Sequence, residues 1–155
     1  MGYNEQKAKK MYDLFVQGKP CRKVYGAVEK DGKFIVLKNP ADRKYKYSIA
    51  GGTVENDEDN IVAIKREIME ELNINVEVVK SLGFLNWKQN WVFEGKEFQM
   101  PYEVEIFLTK FVSYSNRKSL GLEGEFSKDI TVCEVSKEEM MQNVYEFVVG
   151  NFKIN

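Results

Sequence analysis

There is no histidine anywhere in the 155 residues. That absence removes imidazole from general acid–base work, excludes Ser-His and Cys-His nucleophile pairs, and leaves no histidine to ligate zinc. Cysteine is nearly absent too: Cys21 and Cys133 stand alone, outside any CxxC pair. Two isolated cysteines fit reduced thiols in a cytosolic compartment better than a disulfide framework. No apolar run reaches the length of a membrane span, and the stretch MGYNEQKAKKMYDLF scatters charge where a signal peptide would carry an apolar core. Gly2 lacks the downstream Ser or Thr that myristoylation favours. Neither sign of charge dominates. The net charge is −1 with no long block of one sign, so no broad surface for nucleic acid or anionic membrane is expected. The expectation is a cytoplasmic protein, monomer or homodimer, whose chemistry falls to carboxylates, lysine, tyrosine or a hard metal ion.

What is present fits one globular domain over residues 1–155, with residues 1–20 as an N-terminal helical extension. The hydrophobic fraction is 43% and the charged fraction 30%, as in ordinary globular chains. Residues 4–17 read as a helix with Asn4 as cap, an apolar stripe at Ala8, Met11, Tyr12 and Phe15, and Gly18 and Pro20 as its stop. From Arg22 the period changes to two, with a hairpin turning at Asp31-Gly32. A short strand, YKYSIAG, runs into a glycine pair, and a helix follows from about Glu58 to Leu72. Further strands come next, with a turn at Glu94-Gly95 and a long alternating run at Tyr102–Val112. The stretch SNRKSLGLEGEFSKD has loop composition, ITVCEV is a last strand, and Ser136 with Glu139 forms a capping box for a final helix to about Val149. Strands, an inserted helix, more strands and a closing helix predict an α/β fold with a mixed central sheet flanked by helices.

The segment GGTVENDEDNIVAIKREIMEELNI breaks several local rules at once. On a helical wheel Ile61, Ile64, Ile68 and Leu72 share one apolar arc, and Glu67, Glu70 and Glu71 fall beside it. Like charges three and four apart repel by about 0.2–0.5 kcal/mol per pair. Carboxylates also sit badly near a helix C-terminus, whose dipole end is negative. A solvated face would intersperse lysine at spacing four, and here none separates Glu67 from Glu71. A bare cluster of this kind is commonly just a run of good helix formers. A divalent cation, which takes oxygen ligands from one or two carboxylates and from phosphates, would relieve all of these conflicts together.

The fixed offsets decide between the two. Gly52, Glu58, Arg66-Glu67-Ile68, Glu70-Glu71 and Ile74 resemble the Nudix box, G-x5-E-x7-R-E-U-x-E-E-x-G-U with U a bulky aliphatic. One position departs: Asn73 stands in place of the last glycine. Asn is the usual second choice for a left-handed residue past a helix end, so the departure falls on a turn rather than on chemistry.

The resemblance implies an α/β/α sandwich and a hydrolase dependent on Mg2+ or Mn2+. Its substrate would be a small nucleoside diphosphate linked to another moiety, such as a nucleoside triphosphate or a nucleotide sugar. Glu67, Glu70 and Glu71 would hold the metal, and Arg66 would fix a glutamate by a bidentate pair. Glu55 and Glu58 would serve the loop and that arginine, while Gly51 and Gly52 would let the backbone turn sharply and approach the metal site closely. A further acid from a distant loop is often recruited in such proteins, and Glu123 and Glu125 are candidates, equally readable as solubilising charges. Trp87 and Trp91 are candidates for stacking on a base, set against the commoner role of aromatic residues as core. The alternative is a nucleotide-binding or regulatory domain of the same fold with weak catalysis, although all the box acids are kept. An isomerase of the isopentenyl diphosphate type would need histidine ligands that the chain lacks.

Overall fold

The computed structural model describes residues 2–38, 47–55, 57–115 and 131–139. The elements are α1 (Tyr3–Val16), β1 (Cys21–Lys30), β2 (Lys33–Lys38), β3 (Tyr47–Ser48), β4 (Ala50–Thr53), α2 (Asn60–Leu72), β5 (Ile74–Phe93), β6 (Lys96–Tyr114) and β7 (Thr131–Val135). They form a mixed sheet of seven strands ordered β3-β2-β1-β6-β5, with β4 paired to β1 and β7 paired to β2. β1 and β6 run parallel from Cys21↔Tyr102 to Glu29↔Lys110, and the other pairings are antiparallel.

The two helices cover opposite faces. On β1, Cys21 and Ala27 join Met11 of α1, Met100, Tyr102 and Val104 in one core cluster. The alternate residues Val24 and Val28 join Ala63, Ile64, Ile68 and Leu72 of α2 in the other. This is the period-two alternation of a strand buried on both sides. α2 lies very close to β1, because a Cβ on Gly26 would stand 2.9 Å from Cγ1 of Ile64. The layers are those of the expected α/β/α sandwich.

Both predicted turns form. Asp31 and Gly32 have φ of 51° and 80°, and Glu94 and Gly95 have 50° and 74°. Positive φ at both central residues makes each a tight hairpin turn matched to the right-handed strand twist. Asn73 has φ 60° and ψ 37°, the left-handed C-cap, and its N–H bonds to the Met69 carbonyl. Ser136 Oγ accepts the Glu139 N–H at 3.1 Å, as the capping box requires. The rest of the segment predicted as a final helix lies outside the described residues, as do Glu123 and Glu125.

Several local expectations are corrected. Asn4 is not the cap of α1: the N-cap is Gly2, with no side-chain cap bond. α2 begins at Asn60 rather than near Glu58, because Asp59 caps it by accepting the Val62 N–H at 2.8 Å. Ile61 shares the apolar arc on the wheel but is 50% exposed, because the packed face of α2 is turned towards Ala63 and away from it. Ala63 takes its place in the core. The alternation in the long hairpin is broken where Val79, Leu82 and Val112 have no cross-strand partner. An unpaired bulge residue redirects its side chain, which explains why Val79 and Val112 are exposed.

Neither Cys21, which is buried, nor Cys133 is in a disulfide; burial pushes the Cys21 thiol pKa up, the direction of an unreactive thiol. No described helix is long and apolar enough to cross a membrane.

The two ends of the apolar arc on α2 should differ in energy. Ile68 is wholly buried, so Ile68→Ala should cost about 2–5 kcal/mol in urea unfolding. Ile61→Ala should cost about 0.5 kcal/mol or less. Equal losses would put Ile61 back in the core.

Candidate functional site

The site is built where α2 crosses β4. Its centre is Arg66, whose guanidinium presents five N–H donors in a rigid fork, and each has an acceptor. Nε donates to Glu58 Oε2 at 2.8 Å and Nη2 to Glu58 Oε1 at 2.9 Å, a side-on bidentate pair. Nη2 also donates to the Thr53 carbonyl at 3.1 Å. Nη1 donates to Glu67 Oε1 at 3.0 Å and to Glu70 Oε2 at 3.2 Å. One planar group thus ties strand end, loop and helix together. The hydrogen bonds from Arg66 hold the Glu58 carboxyl below its ordinary pKa, and Glu58 in turn raises that of Arg66. Glu55 is peripheral: it is exposed, 3.8 Å from Nη1.

Glu67 and Glu71, one turn apart, lie against the glycine pair. Glu71 Oε2 accepts the Gly51 N–H at 3.1 Å. A Cβ on Gly52 would stand 2.5 Å from Cδ of Glu67, and one on Gly51 would stand 2.2 Å from the Val24 carbonyl oxygen. Neither glycine has positive φ; both are extended residues of β4. Of the two expectations for these glycines, the sharp turn is absent and the close approach is present: glycine is required here for space. That proximity takes water from the carboxylates. The Glu67 side chain is only 12% exposed, and burial raises its pKa. Glu71 is pushed up to about 8, first by burial, with the charges of Glu67 and Glu70 adding to the shift.

The three box acids are thus not equivalent. Glu67 and Glu71 form a desolvated pair, while Glu70 is turned to Arg66. Among the described residues no three acidic side chains converge as a preformed metal cage. A hard divalent cation nevertheless suits this donor set, because magnesium takes one or two protein carboxylates and completes its octahedron with phosphate and water oxygens. Two carboxyls held where water is scarce, one of them raised to about 8, are groups whose charged forms such an ion would favour.

A second network supports the loop. Arg22 of β1 donates to Asn60 Oδ1 and, at 3.4 Å, to the Glu58 carbonyl. Asn60 Nδ2 donates to Glu105 Oε1 at 2.8 Å. These residues carry no motif, and no spacing in the sequence marks them; they meet only because β1 and β6 run side by side. Trp87 and Trp91 pack against the core under α1. Trp87 stacks on Tyr102 at 5.6 Å and Trp91 Nε1 donates to the Tyr102 hydroxyl at 2.8 Å.

Comparison with known proteins agrees with this geometry. The NUDIX domain family matches residues 20–147. A NUDIX hydrolase from Nitrosomonas europaea superposes with a TM-score of 0.59 at 22% identity, covering 81% of this chain and 78% of that one. A hydrolase of the NUDIX family from Clostridium perfringens gives 0.55 at 14% identity, covering 84% and 91%. A UDP-X diphosphatase gives 0.53 at 13% identity, covering 92% and 68%. At these identities the structures speak for the fold alone. No curated protein matches the sequence.

The state of Glu71 sets a pH dependence for the metal-free protein. Its folded pKa, about 8, lies above its ordinary 4.5, so the folded state binds this proton more tightly than the unfolded chain does. That stabilisation is complete below the ordinary pKa and is lost as pH rises towards 8. In EDTA, the Glu71 contribution to melting temperature should fall from pH 5 to 8, and Glu71→Gln should flatten the fall. Superimposable wild-type and variant profiles would show that Glu71 is solvated.

Proposed function

The chain belongs to the Nudix family, and from that premise we propose that it hydrolyses a diphosphate bond in a nucleoside diphosphate linked to another moiety, with the aid of Mg2+ or Mn2+. The observation that supports this best is the Glu67–Glu71 pair, held desolvated against β4 beside an Arg66 whose donors are all engaged.

Glu67 and Glu71 would hold the cation, with Glu70 within reach of the same site if it leaves Arg66. When bound, the ion supplies charge neutralisation of the phosphates and orientation of substrate and water. The protein does the rest. Gly51 and Gly52 keep β4 close enough to exclude bulk water from the two carboxylates. Arg66 fixes Glu58 and Glu67 in single rotamers, so the acids face the diphosphate without reorganising. Water attacks phosphorus, a phosphorus–oxygen bond forms, and the anhydride bond breaks to leave two phosphate-bearing products. With no histidine in the chain, the water's proton passes to a carboxylate of the box.

A colorimetric phosphate assay over nucleoside triphosphates and nucleotide sugars, with a phosphatase to reveal monoester products, tests the reading. Mg2+ or Mn2+ should support turnover and EDTA should abolish it. Turnover undiminished in chelator would refute the metal-assisted mechanism, and no hydrolysis of any substrate would favour the binding-domain alternative.

Arg66→Lys tests the fork. Lysine keeps the charge but cannot hold Glu58 by two parallel bonds while reaching Thr53, Glu67 and Glu70. The variant should lose about 10–100-fold in kcat with KM little changed. A raised KM at constant kcat would instead mean that Arg66 grips the substrate in ground and transition states alike.

A further inference from the structure

Lys7 of α1 and Lys23 of β1 are in no ion pair among the described residues. The structure nevertheless draws them together. Lys7 Nζ lies 5.7 Å over the Trp91 ring and Lys23 Nζ 5.8 Å over the Tyr102 ring. These rings are joined by the 2.8 Å bond from Trp91 Nε1 to the Tyr102 hydroxyl. Tyr102 is 3% exposed, and its hydroxyl also reaches Met11 Sδ of α1 at 3.7 Å. The two ammonium groups are thus fixed over adjoining parts of one rigid aromatic layer. Burial, and then the charge of Lys7, hold the Lys23 pKa below its ordinary value, as mutual repulsion at a poorly solvated place requires.

Their position relative to the acids is set by strand pairing. Lys23 faces Thr53 across β1 and β4, and its neighbour Val24 faces Gly52, the glycine pressed against Glu67. Glu67 and Glu71 both act on the charge of Lys23. Lys23, over Tyr102, is on the α1 side of the sheet and Glu67 is on the α2 side. The unpaired cations and the desolvated acids thus lie on the two sides of one short strand, β4. Each ring carries its own ammonium, and the repulsion between the two charges is what an anion joining them would relieve. α1, which carries Lys7, lies N-terminal to the residues that the family matches, 20–147.

We infer that Lys7 and Lys23 form an anion subsite beside the box acids, which takes a phosphate of a nucleoside triphosphate and selects it over a nucleotide sugar. The inference rests on the hydrolase reading for its substrate, and on charge for its choice. A nucleotide sugar complexed to one divalent cation is close to neutral, whereas a nucleoside triphosphate so complexed keeps about two negative charges. Two lysines match the second and not the first.

The test uses the full chain with Lys7→Met and Lys23→Met, which keep the apolar stem and remove the charge. Lys9→Met, on the same helix but paired with Asp13 at 2.9 Å, serves as control. Calorimetric binding of inorganic tripolyphosphate, in EDTA at low salt, reads the lysines without the metal or turnover. Each variant should weaken it about tenfold or more, while the control stays near wild type. With Mg2+, the variants should raise KM for a nucleoside triphosphate by about tenfold and leave that for a nucleotide sugar within about twofold. Equal tripolyphosphate binding by wild type and both variants would overturn the inference, as would wild-type preference for the nucleotide sugar. If Lys23→Met fails to fold, Lys7→Met, on the partly exposed face of α1, decides. A wild type that binds tripolyphosphate through these lysines but hydrolyses nothing would refute the hydrolase reading and leave the anion subsite standing.

Discussion

The site depends on a single guanidinium. Arg66 reaches the end of β4 through the Thr53 carbonyl, the loop through Glu58, and its own helix through Glu67 and Glu70. Remove it and Glu58 and Glu67, both largely shielded from water, are left without their counter-charge. An uncompensated carboxylate in such a place costs several kcal/mol. The fork also fixes geometry. A planar group with all its donors engaged has one orientation, and the carboxylates it holds inherit that orientation.

The second constraint is distance between layers. α2 sits so close to the sheet that a methyl group on Gly26 or Gly52 would collide with Ile64 or Glu67. The same closeness buries the apolar side of α2 and takes water from the two acids lying along its edge. Stability and reactivity therefore come from one packing decision. The apolar contacts of Ile64 and Ile68 hold in place what Glu67 and Glu71 would relax if they could, since both are more comfortable in water.

Charge is organised on both sides of β4. The acids lie towards α2, and Lys7 and Lys23 lie towards α1 over Trp91 and Tyr102. Each pair is unfavourable by itself, and a metal–phosphate assembly would satisfy both. Of the two candidates for base stacking, Trp91 lies beneath Lys7, while Trp87 stacks on Tyr102, the ring beneath Lys23.

The sequence by itself determined whatever depends on neighbours along the chain. Asp31-Gly32 and Glu94-Gly95 turn as their types demand, Asn73 takes the left-handed cap, and the offsets from Gly52 to Ile74 place the acids on one helix. These are local consequences of backbone sterics and of the helical period. Only the tertiary structure decided which acid does what. Glu70 and Glu71 are adjacent in sequence, yet one is held by Arg66 and the other is desolvated against Gly51, because β4 passes on one side of α2 only. Ile61 fits the apolar arc and is exposed, because the packed face of α2 is turned towards Ala63 and away from it. Val79 and Val112 leave the alternation at bulges that no short window of sequence marks. The Arg22–Asn60–Glu105 link and the meeting of Lys7 with Lys23 join residues far apart in the chain. Such contacts follow from strand register and layer packing, which periodicity constrains but does not specify.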